Sequence, residues 1–214
     1  MSLEHPWTEP PAPGEVIAVA PGIQWLRMPL PFQLNHINLW LLEDGPGVTV
    51  VDTGVGRPDT RALWERVFAE RLDGRPITRV LVTHFHPDHM GNAAWLTARW
   101  QADLWCTQAE WLWAQLVSRM RDPRVFEPRA AWYRRHGLDE ASLAPLRRRG
   151  NHYPGLVPEV APEFVCIREG DTLPIGGRRW QVLTVLGHAP EHACLWDRAG
   201  GVLMVTNRVG FEAR

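Results

Sequence analysis

Three histidines and an aspartate lie within six residues of this chain, in the run His84-Phe85-His86-Pro87-Asp88-His89. Imidazole nitrogens and carboxylate oxygens are the usual ligands of zinc and related divalent ions. Placing so many titratable groups together is costly when they are desolvated and nothing pairs with them. An exposed polar loop after a strand would account for the run less well, so the run predicts a metal site.

The segments around the run predict the kind of fold that carries it. Residues 80–82 are a fully apolar stretch of strand length, and residues 91–100 follow the run with the pattern of a helix. Residues 48–51 form a similar β-branched stretch ahead of Asp52. Strand, ligand loop and helix in this order favour an α/β fold with a mostly parallel sheet covered by helices, in which sites form at strand ends.

The remaining elements predict a single domain with one helical insertion. Further strands are predicted over residues 16–20, 24–28, 37–42, 164–167, 172–175, 180–185, 193–196 and 202–205, and a helix begins at residue 59 or 60 and ends near 71. From residue 164 onward the pattern is that of hairpins. We expect a Pro-rich lead over residues 1–14, then one domain over 15–214 whose helical insertion covers about 108–160.

Composition argues against several classes of protein. The chain has 23 basic and 24 acidic residues and a net charge of -1, so no charge pattern points to nucleic acid or to an anionic membrane. Its apolar runs are shorter than the roughly 20 residues of a membrane span, and no secretory signal is evident. Cys106, Cys166 and Cys194 are odd in number and lack a CxxC pair, which predicts free thiols and a cytoplasmic location.

A third metal ligand is expected from a distant part of the chain. Strand alternation puts His84 and His86 on the same side of an extended segment. A catalytic zinc usually has three protein ligands and one open position. His188 follows an apolar strand and is the candidate third ligand, whereas His192 is expected to orient a ligand or to pack in the core.

Three motifs together resemble the metallo-β-lactamase superfamily. They are the run at residues 84–89, Val51-Asp52-Thr53-Gly54 before it, and Gly187-His188-Ala189-Pro190-Glu191-His192 after it. The resemblance covers about residues 15–205. It implies an αββα sandwich with a one- or two-metal hydrolytic centre that holds zinc, although iron and manganese suit the same ligands.

The resemblance also assigns roles by position. The first metal would be bound by His84, His86 and His188. Asp88 and His89 would begin a second metal site. Asp52 would orient a ligand histidine, although an aspartate that merely ends a strand in a turn explains its position equally well. His36 matches a feature near the site on an early strand.

The end of the chain departs from the family pattern. Asn207 stands where the family has an aspartate that bridges both metals, and a neutral amide is a weaker ligand. The family's final histidine ligand has no counterpart before Arg214. We therefore expect a C-terminally truncated form whose second half is incomplete, and whose unpaired sheet edge would favour pairing of two copies into a homodimer.

The predicted activity is hydrolysis of an ester, thioester, lactone or amide bond in a small-molecule substrate. A metal at the first site would lower the pKa of bound water and supply a hydroxide, and Asp88 would act as the catalytic group that orients the water or takes its proton. The substrate pocket would be lined by the insertion at 108–160. The alternative is a metal-binding but catalytically impaired fragment or pseudoenzyme, and a nuclease of the same fold is a third candidate.

Overall fold

The computed structural model describes residues 6–7, 9–120, 122, 124 and 126–206. Within these ranges the strands are β1 (Val16–Ala20), β2 (Ile23–Pro29), β3 (His36–Asp44), β4 (Gly47–Val51), β5 (Ile77–Leu81), β6 (Asp103–Thr107), β7 (Val165–Ile167), β8 (Thr172–Ile175), β9 (Arg178–Val185), β10 (His192–Asp197) and β11 (Val202–Met204). The helices are α1 (Pro58–Glu70), α2 (Pro87–Met90), α3 (Ala93–Trp100), α4 (Gln108–Arg119), α5 (Phe126–Arg135), α6 (Glu140–Arg149) and α7 (Tyr153–Leu156). None of these helices combines the length and the apolar character that a membrane crossing requires.

The strands form two sheets, as the predicted sandwich requires. The first has seven strands in the order β1-β2-β3-β4-β5-β6-β7, and the second has four in the order β11-β10-β9-β8. Strands β4 to β7 pair in parallel, whereas β1 to β4 and the whole second sheet are antiparallel. The expectation of a mostly parallel sheet is therefore wrong for half of the first sheet, because short turns join β1 to β4 and only antiparallel strands accept such turns.

Two strands of the first sheet, β6 and β7, differ from the sequence prediction. β6 has no counterpart among the predicted strands, and it supplies the parallel partner of β5. β7 pairs in parallel with β6 rather than forming a hairpin with β8. The second difference arises because a long helical segment, α4 to α7, lies between β6 and β7 and returns the chain to the same sheet.

Two apolar cores lie on the two faces of the first sheet. Val80 and Val82 face a core shared with helices α1 and α3, where Trp64 and Leu96 are fully buried. Leu81 points the other way, into the core between the two sheets. Both faces of β5 are covered, which explains why residues 80–82 are all apolar. The loop that follows β5 therefore begins from a strand packed on both faces.

Candidate metal centre

Two loops bring the predicted ligands together at one edge of the sandwich. The first follows β5 and leads into α2, and the second connects β9 to β10. The N–H of Ala193, in β10, donates to the carbonyl of Thr83 at 2.9 Å and so joins the two sheets beside these loops. Residues from parallel strand ends and from the second sheet therefore meet at one point.

Three imidazole nitrogens converge there. His84 Nε2 lies 3.0 Å from His86 Nδ1, His86 Nδ1 lies 2.9 Å from His188 Nε2, and His188 Nε2 lies 3.1 Å from His84 Nε2. Each nitrogen either carries a proton or does not, so at least one of the three pairs must be two donors or two acceptors. Hydrogen bonding among the rings cannot satisfy the whole triangle, but a shared cation can.

The spacing of these nitrogens fits a metal ion. Zinc–nitrogen bonds of about 2.0–2.1 Å in a tetrahedron place ligand nitrogens about 3.3–3.4 Å apart, close to the observed triangle. His84 is buried, His86 is half-buried and His188 is exposed, so the triangle opens to solvent on one side. That open side is where a fourth ligand would sit in a catalytic site.

The surroundings keep these histidines neutral, as metal binding requires. Burial and, to a smaller extent, the nearby His188 ring lower the pKa of His86 to about 4. Burial likewise lowers the pKa values of His84 and His188. The Oγ1 of Thr83 lies 3.1 Å from His84 Nδ1 and 2.9 Å from Oδ2 of Asp52. A Thr83 hydroxyl that donates to Asp52 accepts from His84 Nδ1–H, which leaves Nε2 available as a ligand.

Asp88 and His89 lie beside the triangle. His89 is fully buried, and its Nε2 is 3.3 Å from Oδ2 of Asp88. In the described part of the chain, this Nε2 has no partner with hydrogen-bond geometry. A buried nitrogen without such a partner, next to a carboxylate, fits the start of a second metal site. The roles of these two residues stay predictions.

Asp52 contacts both His89 and the loop that carries His84. Its Oδ2 lies 2.8 Å from His89 Nδ1, and its Oδ1 accepts from the Thr83 N–H at 2.8 Å. Burial would lower the pKa of His89, but the charges of Asp52 and Asp88 outweigh it and raise that pKa to about 10. Asp52 has a φ of 61°, a left-handed conformation that aspartate tolerates better than most residues. This geometry supports the orienting role predicted for Asp52.

Three further predicted residues are His192, His36 and Asn207. His192 is fully buried with its ring centroid 4.6 Å from that of His84, and neither ring nitrogen has a hydrogen-bond partner among the described residues. Burial lowers its pKa to about 4. His36 begins β3, and its Nδ1 lies 2.7 Å from Oδ1 of Asn35. Asn207 lies outside the described residues.

A cavity of about 460 Å³ adjoins the triangle at His86. Its apolar walls come from Phe85 and from the helical segment that the sequence predicted as the pocket lining: Trp113, Val117, Phe126 and Tyr153. The lining also includes Arg129, Arg147 and Asp122, and Arg147 is ion-paired with Glu127 and Glu140. The cavity therefore suits an apolar group, and Arg129 on its wall can attract an anionic one.

Two further residues hold the ligand loops, and the sequence analysis missed both. The buried carboxylate of Glu110, in α4, accepts from the N–H groups of Phe85 and Glu191. The hydroxyl of Tyr153, in α7, donates to the carbonyl of Phe85 at 2.6 Å. The only signal in the sequence was a glutamate on the apolar side of an amphipathic helix, next to Ala114 and Gln115, which are also buried.

The sequence profile of the metallo-β-lactamase superfamily matches residues 33–206, most of the chain and all of the triangle. The chain belongs to this superfamily. A β-lactamase domain protein from Burkholderia ambifaria has a similar structure, with 46% identity and a TM-score of 0.81 over 92% of this chain and 57% of that one. A metallo-β-lactamase family protein from Thermus thermophilus is 30% identical, with a TM-score of 0.66 over 87% of this chain and 59% of that one.

Relatives of characterised activity are more distant. The acyl-coenzyme A thioesterase MBLAC2 of Gallus gallus is 28% identical over an alignment of 199 positions, which covers 85% of this chain and 61% of that protein. The hydroxyacylglutathione hydrolase of Dechloromonas aromatica is 38% identical over 74 residues, 35% of this chain and 24% of that protein. The chain thus spans about three fifths of the length of the thioesterase. The chain is therefore a member of a metallo-hydrolase superfamily, and the described residues include three histidines that could hold a metal ion.

Proposed function

We propose that this protein is a metal-dependent hydrolase that cleaves thioesters whose acyl group is apolar and whose thiol carrier is anionic. The observation that carries this proposal is the triangle of His84, His86 and His188 nitrogens beside a largely apolar cavity that His86 lines. A divalent ion held there would supply a Lewis acid, which polarises a carbonyl and makes water a nucleophile near neutral pH.

In this proposal Asp88 accepts the proton of the attacking water molecule. Burial alone would raise the pKa of its carboxyl, but the positive charge of the nearby His89 outweighs burial and lowers it. Asp88 is therefore ionised at neutral pH and able to orient a water molecule and accept its proton. His89 holds the carboxylate from the buried side, with its Nε2 at 3.3 Å.

The choice of thioesters rests on the relatives and on the cavity. One relative is an acyl-coenzyme A thioesterase and another is a hydroxyacylglutathione hydrolase. The rings of Phe85, Trp113 and Tyr153 offer contact area for an acyl chain, with ring centroids 6.1 Å apart for both the Phe85–Trp113 and the Phe85–Tyr153 pairs. Arg129, on the same cavity, offers charge to a carrier that bears phosphate or carboxylate groups.

Hydrolysis of a substrate panel tests the proposal. Acyl-coenzyme A, acyl-glutathione, a lactone, a simple ester and an amide would be compared using zinc-loaded protein and its His86→Ala variant. We expect the thioesters to be cleaved fastest, and we expect the variant to lose at least about 100-fold in rate, since it removes a metal ligand. Equal rates for protein and variant, or cleavage of the other substrates alone, would contradict the proposal.

The second candidate is a metal-binding protein without turnover. Asn207, at the position of the family's bridging aspartate, favours it, because an amide cannot supply the charge that holds two dications close together. Metal analysis alongside the same panel separates the two candidates. Bound metal with no hydrolysis above background would support this second function.

The proposal also covers the metal, the cellular location and the oligomeric state. Zinc is the proposed metal because the three ligands are imidazoles, which elemental analysis of the purified protein would test. A cytoplasmic location is proposed because Cys106, Cys166 and Cys194 are free thiols, and cell fractionation would test it. Pairing of two copies is proposed at the edge of the second sheet, where Leu203 of β11 is 55% exposed, and sedimentation would test it.

A further inference from the structure

Glu110 is a buried acid that accepts hydrogen bonds from two different loops. Its side chain is fully buried in the first turn of α4. Oε2 accepts from the N–H of Phe85 at 2.8 Å, and Oε1 accepts from the N–H of Glu191 at 2.6 Å. Among the described residues, no lysine, arginine or histidine lies within ion-pair distance of it. Burying a carboxylate without a cation destabilises the fold, and these two hydrogen bonds offset part of that cost.

The two N–H groups belong to the two loops that bear the metal ligands. Phe85 lies between His84 and His86, and Glu191 lies three residues after His188. One carboxylate therefore joins the two loops and fixes the distance between them.

Neighbouring contacts make this junction rigid. The side chain of Glu191 accepts from the N–H of Ala109 at 3.2 Å, and its carbonyl accepts from the hydroxyl of Thr107 at 3.0 Å. The hydroxyl of Tyr153 donates to the carbonyl of Phe85 at 2.6 Å and so holds the next peptide unit of the same loop. Glu191, in the loop between β9 and β10, therefore both donates to the start of α4 and accepts from it. The loop after β5 is held by α7 through Tyr153.

We propose that Glu110 is a positioning residue that sets the spacing of the metal-binding nitrogens by holding the His84–His86 loop against the His188 loop. It touches no ligand atom and acts through the backbone. This inference rests on the proposed metal site. Groups that orient metal ligands in this way typically change metal affinity by about 10- to 100-fold when they are removed.

A carboxylate suits this position better than an amide. Two N–H donors point at the two oxygens, so each oxygen is used as an acceptor. Glutamine would present one oxygen and one NH₂ group, and the NH₂ would face an N–H donor. Glu110→Gln therefore keeps the size of the side chain and breaks one of the two connections.

Zinc affinity of the Glu110→Gln protein tests the inference, and Glu163→Gln is the matched control. Glu163 is exposed, and the substitution removes the same charge away from the loops. We expect Glu110→Gln to bind zinc about 10- to 100-fold more weakly than wild type in competition with a chromophoric chelator. We also expect the visible spectrum of its cobalt(II) form to change, which a general loss of stability would not cause. Glu163→Gln should match wild type in both measurements.

Wild-type zinc affinity and an unchanged cobalt(II) spectrum in Glu110→Gln would overturn the inference. If that variant does not fold, Glu110→Asp gives the same test, because its shorter side chain keeps the charge but cannot span both donors. Wild-type behaviour of Glu110→Asp would then overturn the inference. A His84→Ala variant tests the metal site separately: unchanged zinc binding there would refute the site itself, whereas loss there together with wild-type Glu110→Gln would refute only the role of Glu110.

Discussion

The Nδ1 atom of His89 lies 2.8 Å from Oδ2 of Asp52, and neither side chain is exposed to solvent. The same carboxylate accepts from the backbone N–H and the hydroxyl of Thr83. The pair therefore connects the end of β4 to the loop that follows β5. Asp52 therefore holds the loop after β5 in position and stabilises the charged form of His89.

Asp52→Asn should destabilise the metal-free protein by about 3 kcal/mol, because it leaves a buried histidine without its anionic partner. The free energy of unfolding in urea measures the change. Asp59→Asn is the control: its carboxylate is 58% exposed and pairs with Arg57, which is 44% exposed, so its loss should cost no more than about 0.5 kcal/mol. Equal effects of the two substitutions would argue against a structural role for the Asp52–His89 pair.

The metal-free protein should be most stable near pH 6.5. Histidines with a folded pKa near 4, His86 and His192, bind fewer protons than in the unfolded chain, so stability falls as the pH drops from 6.5 toward 4. His89, with a folded pKa near 10, holds a proton that the unfolded chain has lost, so stability falls as the pH rises from 6.5 toward 10. Thermal unfolding across this range in the presence of a chelator measures the profile.

His89→Gln should flatten the alkaline limb of that profile, because it removes the group whose proton is lost. The acidic limb should remain, since His86 and His192 are unchanged. A stability that keeps rising above pH 6.5 in the wild-type protein would contradict the raised pKa of His89.

Trp113→Ala should weaken the binding of long acyl chains more than that of short ones. The indole lines the cavity beside Phe85, and its removal takes apolar contact area from the acyl group. We expect KM for a long-chain thioester to rise on the order of tenfold, with little change for an acetyl thioester. Trp132→Ala, an exposed tryptophan of α5 that stacks on His136 and not on the cavity, should leave both values unchanged.

Arg129→Gln should raise KM for an anionic thioester and not for a neutral one of equal acyl length. The guanidinium lines the cavity, where it would attract a phosphate or carboxylate of the carrier. Added salt should reduce the difference, because it screens exposed charges. Arg135→Gln, an exposed cation of the same helix, is the control and should change neither KM. Equal increases for both substrates would show that Arg129 supports the cavity by packing rather than by charge.

Much of the fold was predictable because its signals are local. β1 and β8 begin and end at the predicted residues, since turns with glycine bound short β-branched runs there. The run after β5 indicated the candidate metal site for the same reason, because its three histidines and its aspartate lie within six residues. β6 was missed because its five residues, which include a charged Asp103, lack a clear alternation.

The parts that could not be predicted depend on contacts between distant residues. Glu110 contacts Phe85 across 25 residues and Glu191 across 81, and no periodicity in the sequence links these positions. Tyr153 contacts Phe85 across 68 residues. Such pairings depend on how α4 and α7 pack against the sheet, which single-sequence patterns do not determine.

Zinc binding by the His188→Ala protein tests the central claim most directly, because this histidine comes from the second sheet and completes the triangle. Stoichiometry and affinity would be measured for wild type, for His188→Ala and for His136→Ala, whose ring stacks on Trp132 away from the cluster. We predict tight zinc binding by wild type and His136→Ala, and at least about 100-fold weaker binding by His188→Ala. Wild-type stoichiometry and affinity in His188→Ala would contradict the claim that these three histidines bind the metal.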